Sequence, residues 1–432
     1  MNNTAEVYMW GTRIGIIHLE EGEKYASFEY DSDFVGSCIE VSPIRMPLAR
    51  TVYSFPNLSG EAFHGVPGLI ADSLPDKFGN AVISQWLAEQ GRTENSFNVI
   101  DRLCYTESRG MGALEYVPTT GPKEESGDIV RIDRMVEFAS EILKNRERAH
   151  LHIDDNISAK QLLLLGTSAG GARAKAVIAW NEETGDIRSG QIPVGKGYGY
   201  WIIKFDGVDS NGDHDLEDDP KYTLIEYAYY LMATEAGIKM NGCRLFNENG
   251  RNHFMTKRFD RTDDGKKIHM QTLGALAHID YNVPCLCSYE QLSMYARQIG
   301  VSEADIEQIY RRMVFNVLAV NQDDHVKNFS FLMNRSGKWS LSPAYDITFA
   351  YNPDNKWLSA HQMNVNGKNT GITEEDLLRS GSNMDISTVK CKRVIEEVDS
   401  TIKQWPAFAE NAGVPEKTMK MIKSFFDYAQ GE

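Results

Sequence analysis

Asp323 and Asn328 lie in one polar loop, Asn321-Gln322-Asp323-Asp324-His325-Val326-Lys327-Asn328, with four residues between them. A carboxylate and a carboxamide at that interval suit phosphoryl transfer. Such a reaction asks for positioning and charge neutralisation more than for covalent chemistry, and the carboxylate orients an attacking hydroxyl and accepts its proton. The amide carbonyl offers a neutral oxygen to Mg²⁺, a hard cation that takes oxygen ligands and keeps positions for phosphate and water. A second metal ligand must come from elsewhere, and Asp346 follows a short Pro-marked stretch, Leu341-Ser342-Pro343-Ala344-Tyr345. Read from the residues alone, two other chemistries stay open. Asp323, Asp324 and His325 could form a hydrolytic metal site, or the loop could be a solvated turn that stops the preceding helix, because short motifs often match by chance.

Three further stretches fit phosphoryl transfer. Gly199 to Asp206 predicts an apolar strand interrupted by Lys204. Buried lysines are rare unless paired, so this ammonium either points outward or meets an anion. In the protein-kinase strand V-A-I-K the lysine has this setting, contacts ATP phosphates and pairs with a helix glutamate; the loop H-R-D-x-x-x-x-N has the Asp323–Asn328 interval. A helix over Tyr222–Ala236 is predicted from Leu224, Ala228, Leu231 and Met232. Its Glu226 is the expected partner of Lys204, with Glu235 second. Residues 162–179 read as strand, Gly/Ser loop and strand, where Gly170 and Gly171 would let backbone N–H groups approach a phosphate. Gly166 to Gly171 has the Walker A interval, but Ala172 stands where that motif requires Lys, and a plain hairpin turn fits as well. His253 to Arg261 predicts a strand turning charged, the place where the hinge backbone of a two-lobed kinase can meet an adenine. The acidic run Asp209–Asp219 lacks the EF-hand order and reads as a solvated loop.

The elements that must position these groups are legible in outline. Ser302 to Asp305 makes a helix start, and Ile306, Ile309, Met313, Val317 and Val320 form one face of the helix that delivers the Asp323 loop. Val7 to Ile17 predicts two short strands around a Gly-containing turn, and Phe28–Tyr30 predicts another. Helical text begins at Leu69, with a junction at Asp72–Gly79 and with Val82, Ile83, Trp86 and Leu87 on one face. Gly121–Gly127 reads as the boundary of this small α+β unit. Beyond the hinge the chain is chiefly helical, including Val394–Ile402 and Met419–Tyr428. A chain of 432 residues suits two or three domains, and 42% hydrophobic with 25% charged residues describes an ordinary soluble protein. The net charge of −16 argues against a broad nonspecific grip on DNA by this chain alone. Six scattered cysteines without a C-x-x-C pair read as reduced thiols. Met1–Gly15 lacks a signal-peptide pattern and no apolar run is long enough for a membrane span, so the expected location is cytoplasmic.

Taken in order, Ser168-Ala169-Gly170-Gly171-Ala172-Arg173-Ala174-Lys175, Trp201-Ile202-Ile203-Lys204-Phe205, Lys257-Arg258-Phe259-Asp260-Arg261, the Asp323 loop and Pro343-Ala344-Tyr345-Asp346 make the chain resemble the HipA-family serine/threonine kinases. Tyr8–Ile17 and Leu74-Pro75-Asp76 are similar to that family's N-terminal subdomain. The resemblance implies an α+β, two-lobed protein-kinase-like (HipA-like) fold. An extra N-terminal α+β subdomain would occupy 1–120, the kinase N-lobe 128–258, and a mainly helical C-lobe 259–432. It implies Asp323 as catalytic base, His325 as support for its loop, and Asn328 and Asp346 as Mg²⁺ ligands. Lys204 would bind ATP phosphates beside the Gly170–Gly171 loop, and backbone groups of Lys257 and Phe259 would meet the adenine. Ser168 would be the self-phosphorylated serine whose phosphate displaces the loop and silences the enzyme; Thr167 is the alternative. Asp324, beside Asp323, keeps the identity of the base open.

The family's founding members are toxins of bacterial toxin–antitoxin pairs that phosphorylate aminoacyl-tRNA synthetases. Their antitoxin is a small DNA-binding protein that makes the complex a repressor. The resemblance therefore implies ATP and Mg²⁺ as cofactors, a HipB-like antitoxin as partner, a protein substrate, and contact with DNA only through the antitoxin. Two alternatives carry different chemistry: a weakly active or inactive ATP-binding co-repressor, and a small-molecule kinase.

Overall fold

The computed structural model describes residues 1–121, 130–144, 173–208 and 221–429. The first of three antiparallel sheets contains β1 (Thr4–Met9), β2 (Thr12–His18), β3 (Ser27–Tyr30), β4 (Val52–Ser54) and β5 (Leu114–Val117), in the order β4-β3-β2-β1-β5. Along β1, Ala5, Val7 and Met9 are buried while Glu6 and Tyr8 are less so, the period of two expected where one sheet face meets a core. Trp10 and Gly11 make the β1–β2 turn with φ of 54° and 83°. Hairpins favour this pair of positive angles because their twist matches that of the strands. Glycine adopts it freely, whereas Trp10 is held there by its indole N–H, which donates to the Lys267 carbonyl at 2.9 Å.

The second sheet holds β6 (Lys175–Trp180), β7 (Ile187–Ser189), β8 (Gly199–Lys204), β9 (Cys243–Glu248) and β10 (Arg251–Lys257), ordered β7-β6-β8-β10-β9. The Tyr222–Glu235 helix packs against β9 and β10. A third sheet, β11 (His269–Thr272), β12 (Ser330–Met333) and β13 (Trp339–Leu341), lies in the region that the sequence reads as chiefly helical. Strands of three or four residues are too short to show a period. The same region carries the helices Glu303–Leu318, Thr388–Ile402, Trp405–Ala412 and Glu416–Ala429, which pack on one another and on the Tyr222–Glu235 helix. The first is capped by Ser302, whose Oγ accepts the Asp305 N–H at 3.3 Å, and it buries Ile306, Ile309, Met313 and Val317.

One hydrophobic core runs from Ala5 and Val7 through Leu273, Phe315 and Phe331 to Trp405 and Phe426, so the first sheet shares its interior with the C-terminal helices. The Lys77–Glu89 helix faces elsewhere. Its Phe78 and Val82 enter the core under the second sheet with Ala176, Ile203 and Met255, while Ile83 and Leu87 pack with Phe97 and Tyr105. Gly68 marks the tightest approach between the N-terminal unit and the Leu273–Ala277 helix: a Cβ there would meet the Ala275 carbonyl oxygen at 2.1 Å. All six cysteines are free, and no described helix is long and apolar enough to cross a membrane.

Candidate active site

The Glu303–Leu318 helix ends where Val320 turns to φ 54°, and the chain then pairs briefly with a distant strand segment, Gln322 N–H donating to the Ala350 carbonyl at 2.9 Å. This fixed exit aims two adjacent aspartates in opposite directions. Asp324 is 1% exposed and accepts from the Tyr289 hydroxyl at 2.7 Å and the Gln362 N–H at 2.7 Å, with His361 Nδ1 at 3.0 Å. Asn316 joins this network, its Nδ2 donating to the Tyr289 oxygen at 3.0 Å. The Asp323 side chain is 47% exposed, with His325 Nε2 3.9 Å from its Oδ1. Of the two carboxylates, only Asp323 is open to an incoming hydroxyl.

Asn328 closes the loop. Its Nδ2 donates to the Asp323 carbonyl at 2.7 Å and its N–H to the His325 carbonyl at 2.9 Å, which turns the amide nitrogen inward and leaves the side-chain oxygen as the outward donor atom. His325 lies 5.8 Å, ring to ring, from Tyr281, whose face also receives the Lys327 ammonium at 4.3 Å. The His325 Nδ1 is buried and has no hydrogen-bond partner among the described residues.

Lys204 ends β8 and reaches two carboxylates: it donates to Glu226 Oε1 at 2.6 Å and to Asp346 Oδ1. Glu235, the second candidate partner, is exposed. Burial disfavours the Lys204 ammonium, but Asp346 and Glu226 together raise its pKa above the ordinary lysine value. Burial likewise works against the Asp346 carboxylate and is overcome by Lys204, which holds its pKa down to about 2. Glu226 is pushed upward by its burial despite Lys204. Asp346 sits at φ 51°, an αL conformation that a non-glycine residue adopts at a cost. It is braced by Tyr345, whose hydroxyl donates to the Lys327 carbonyl at 2.6 Å.

A hard-oxygen cation fits this donor set, because Asp346 stays ionised and Asn328 presents an oxygen. Among the described residues no group of three or more His, Cys, Asp or Glu side chains could hold a metal by itself. The hydrolytic site considered for Asp323, Asp324 and His325 is therefore not assembled, since Asp324 is turned into the core.

The Lys257–Arg261 segment, expected from the sequence as a hinge, divides by what its side chains touch. The Lys257 N–H is spent on the Gly242 carbonyl at 2.9 Å, while its carbonyl accepts a 3.2 Å bond from Asn241 Nδ2 and has a second lone pair. Its ammonium pairs with Asp263 at 2.8 Å. Phe259 packs against Tyr345, ring centroids 5.5 Å apart. Arg258, Asp260 and Arg261 face inward. Asp260 takes both prongs of Arg258 at 2.8 and 2.7 Å, Arg261 Nη1 at 2.8 Å and the Gly112 N–H at 2.8 Å. This bidentate cluster pins the Gly110–Gly112 turn of the N-terminal unit to the Arg258–Arg261 segment.

A second buried ion pair crosses the same boundary. Asp76 caps the Lys77–Glu89 helix, Oδ1 accepting the Gly79 N–H at 2.6 Å, and its Oδ2 lies 3.4 Å from Lys175 Nζ in β6. Burial outweighs the pull of Lys175 and lifts the Asp76 carboxyl from 3.8 to about 6. The folded chain thus holds this proton more tightly than the unfolded one. That contribution is complete below about pH 4 and is lost as pH rises through 6, by about 3 kcal/mol at roughly 1.4 kcal/mol per pH unit. Paired urea titrations should show the native chain losing stability relative to Asp76→Asn between pH 4 and 6; parallel curves would place the titration elsewhere.

Ser168, Thr167, Gly170 and Gly171 lie outside the described residues, as does Asp209–Asp219. The sequence reading gave Asp76 and Asp260 no role of their own, although both stand in stretches quoted for the resemblance, and it passed over Tyr289 and His361; only the improbability of a buried Asp without a partner could have marked the two charged ones.

Two family models cover most of the chain: "HipA N-terminal domain" over residues 5–117 and "HipA-like C-terminal domain" over residues 167–406. The structure resembles HipA in the toxin–antitoxin complex of HipA, HipB and operator DNA from Shewanella oneidensis MR-1, with a TM-score of 0.65 over 98% of this chain and 95% of that one. At 15% identity this likeness speaks for the fold. A protein of Haemophilus influenzae named as a candidate kinase is 30% identical over 166 residues, 34% of this chain and 48% of that protein. Candidate kinase Y4dM of Sinorhizobium fredii is 28% identical over 169 residues, 37% of this chain and 39% of that protein. The matched stretch spans less than half of either relative. With both family domains in order and the α+β, kinase-like architecture in place, the chain belongs to the HipA family.

Proposed function

We propose that the chain is an ATP- and Mg²⁺-dependent serine/threonine protein kinase. The observation that carries this reading is the contrast within Asp323-Asp324: one carboxylate is sealed by three partners and the other stands open beside Asn328. Asp323 orients the substrate hydroxyl and takes its proton as the γ-phosphoryl group passes in line to the oxygen. Lys204, held by Glu226, contacts the nucleotide phosphates; an ammonium has three donors, so one remains for phosphate beyond the two carboxylates. The Lys257 carbonyl and the Phe259 backbone meet the adenine. Asn328 and Asp346 hold Mg²⁺, which neutralises phosphate charge when bound.

The family resemblance supplies the remaining assignments. Ser168, or Thr167, receives the enzyme's own phosphate; negative charge placed beside ATP phosphates repels them, which silences the site. A HipB-like DNA-binding antitoxin is the partner, in keeping with the Shewanella complex, and an aminoacyl-tRNA synthetase is the substrate class. Phosphatase-treated protein incubated with Mg²⁺-ATP should gain one phosphate, mapped by mass spectrometry to Ser168 or Thr167. If ATP binds but no phosphate transfers to chain or synthetase, the ATP-binding co-repressor becomes the better reading.

A further inference from the structure

The geometry points to Arg312 as a positioning residue that ties the Mg²⁺ ligand Asp346 to the helix delivering Asp323. This rests on the kinase reading of that site. The fold treats two adjacent arginines of the Glu303–Leu318 helix differently. Arg311 pairs with Glu397 at 2.6 Å and donates to the Ala236 carbonyl at 2.7 Å. Arg312 is 2% exposed, and its Nη2 donates to the Ser342 carbonyl at 2.6 Å. Its Nε and Nη1 are buried with no hydrogen-bond partner among the described residues. Burial pushes its pKa down to about 10 against the opposing pull of Tyr345 and Asp305. A buried guanidinium so poorly matched is costly, and an apolar side chain of similar volume would serve the core better. Local costs of this kind persist where a function needs the group.

The carbonyl that Arg312 grips opens the stretch that carries Asp346. Beyond β13 this stretch is irregular, with an isolated bridge between Ala344 and Met240. It is suspended by the Ser342 N–H, donating to the Ser330 carbonyl at 2.9 Å, by the Ala344 N–H, donating to the Lys239 carbonyl at 2.8 Å, and by Arg312. Of these three supports, Arg312 is the one that comes from the helix whose end aims Asp323. That helix is thus joined to both halves of the chemistry, through its exit to the base and through Arg312 to the segment that presents the metal ligand. Asp346 stands at φ 51°, a conformation that costs energy, so a segment released at Ser342 relaxes and shifts its carboxylate. Loss of a group that orients a metal ligand costs about 10–100-fold in metal affinity or activity. Arg312, sealed in the core, meets neither nucleotide nor metal and acts through the Ser342 backbone.

The test is isothermal titration of the full chain with ADP, in Mg²⁺ and in EDTA, comparing wild type with Arg312→Met, Arg312→Lys and Asp346→Asn. Thermal midpoints and phosphate incorporation are recorded alongside. The deciding quantity is the factor by which Mg²⁺ tightens ADP. Arg312→Met should remove most of that factor and lower phosphate incorporation about tenfold. ADP affinity in EDTA should stay as in wild type, and the midpoint should hold or rise, since an unmatched buried charge has gone. Arg312→Lys, which keeps a donor for the Ser342 carbonyl, should restore most of the Mg²⁺ factor. A merely structural role would lower the midpoint and leave the Mg²⁺ factor of the folded protein intact. An intact factor overturns the proposal, as does an equal weakening of ADP in Mg²⁺ and in EDTA. Should Arg312→Met fail to fold, Arg312→Gln, too short to reach Ser342, is read by the same criterion; failure of both to fold assigns Arg312 to the fold and overturns the proposal as well. Wild-type protein that binds no ADP or binds it without regard to Mg²⁺, or Asp346→Asn that keeps the full Mg²⁺ factor, would instead remove the kinase reading beneath the proposal.

Discussion

Asp323→Ala should leave the thermal midpoint of the chain unmoved while lowering phosphotransfer about a thousandfold or more. The side chain is half exposed and its nearest ionisable neighbour, His325, is 3.9 Å away, so the fold loses little when it goes. Removing a positioned general base costs roughly 10²–10⁴ in rate. The neighbouring substitution makes the opposite trade. Asp324→Ala strands the Tyr289 hydroxyl, the Gln362 N–H and His361 in a sealed cavity. Each buried group left unsatisfied costs about 1–3 kcal/mol. Urea midpoints and phosphate incorporation measured on both variants decide the roles. A folded, active Asp323→Ala beside a folded, inactive Asp324→Ala would exchange them.

The second large effect is structural. Asp260→Ala removes the carboxylate that lies between Arg258 and Arg261, both side chains at most 3% exposed, and it also frees the Gly112 N–H. Breaking a buried ion pair from one side costs about 3–5 kcal/mol, because the remaining charge cannot reach water. The native Asp260 carboxyl is held well below the ordinary range by the two guanidinium groups, against the effect of its burial. Its stabilisation is thus complete above about pH 4 and disappears only as pH falls through that depressed value. A chemical denaturation curve at pH 7 should shift strongly for Asp260→Ala, and the double variant Arg258→Met/Asp260→Leu should recover part of the loss. A shift under about 1 kcal/mol would mean that the cluster contributes little to stability.

Legibility in the sequence followed the length of each local signal. The Glu303–Leu318 helix repeats its apolar residues over four turns, and β8 and the Tyr222–Glu235 helix are nearly as plain. A strand lysine followed by that helix narrowed its carboxylate neighbours to two, and burial then separates Glu226 from Glu235. The third sheet was invisible because its strands are three or four residues long. Asp324 could not be told from Asp323, since its partners Tyr289 and His361 lie 35 and 37 residues away. Asp260 meets Gly112 across 148 residues, and nothing local in Phe259-Asp260-Arg261 announces it. Local chemistry was readable; the long-range partner that decides whether a charge is exposed or sealed was not.

The single core shared by the first sheet and the C-terminal helices has a consequence for synthesis on the ribosome. About 150 residues separate Val117, where the first sheet is complete, from Leu273, whose helix packs against Gly68–Ala71 of the N-terminal unit. At roughly 5–20 residues per second, the N-terminal unit waits about 8–30 s with the Val99–Thr106 helix on β1 and β5 but with the apolar Gly68–Ala71 face still without the Leu273–Ala277 helix. For that interval the nascent chain is a client for chaperones, and a ribosome stalled anywhere in the second sheet would present a sticky, half-made protein.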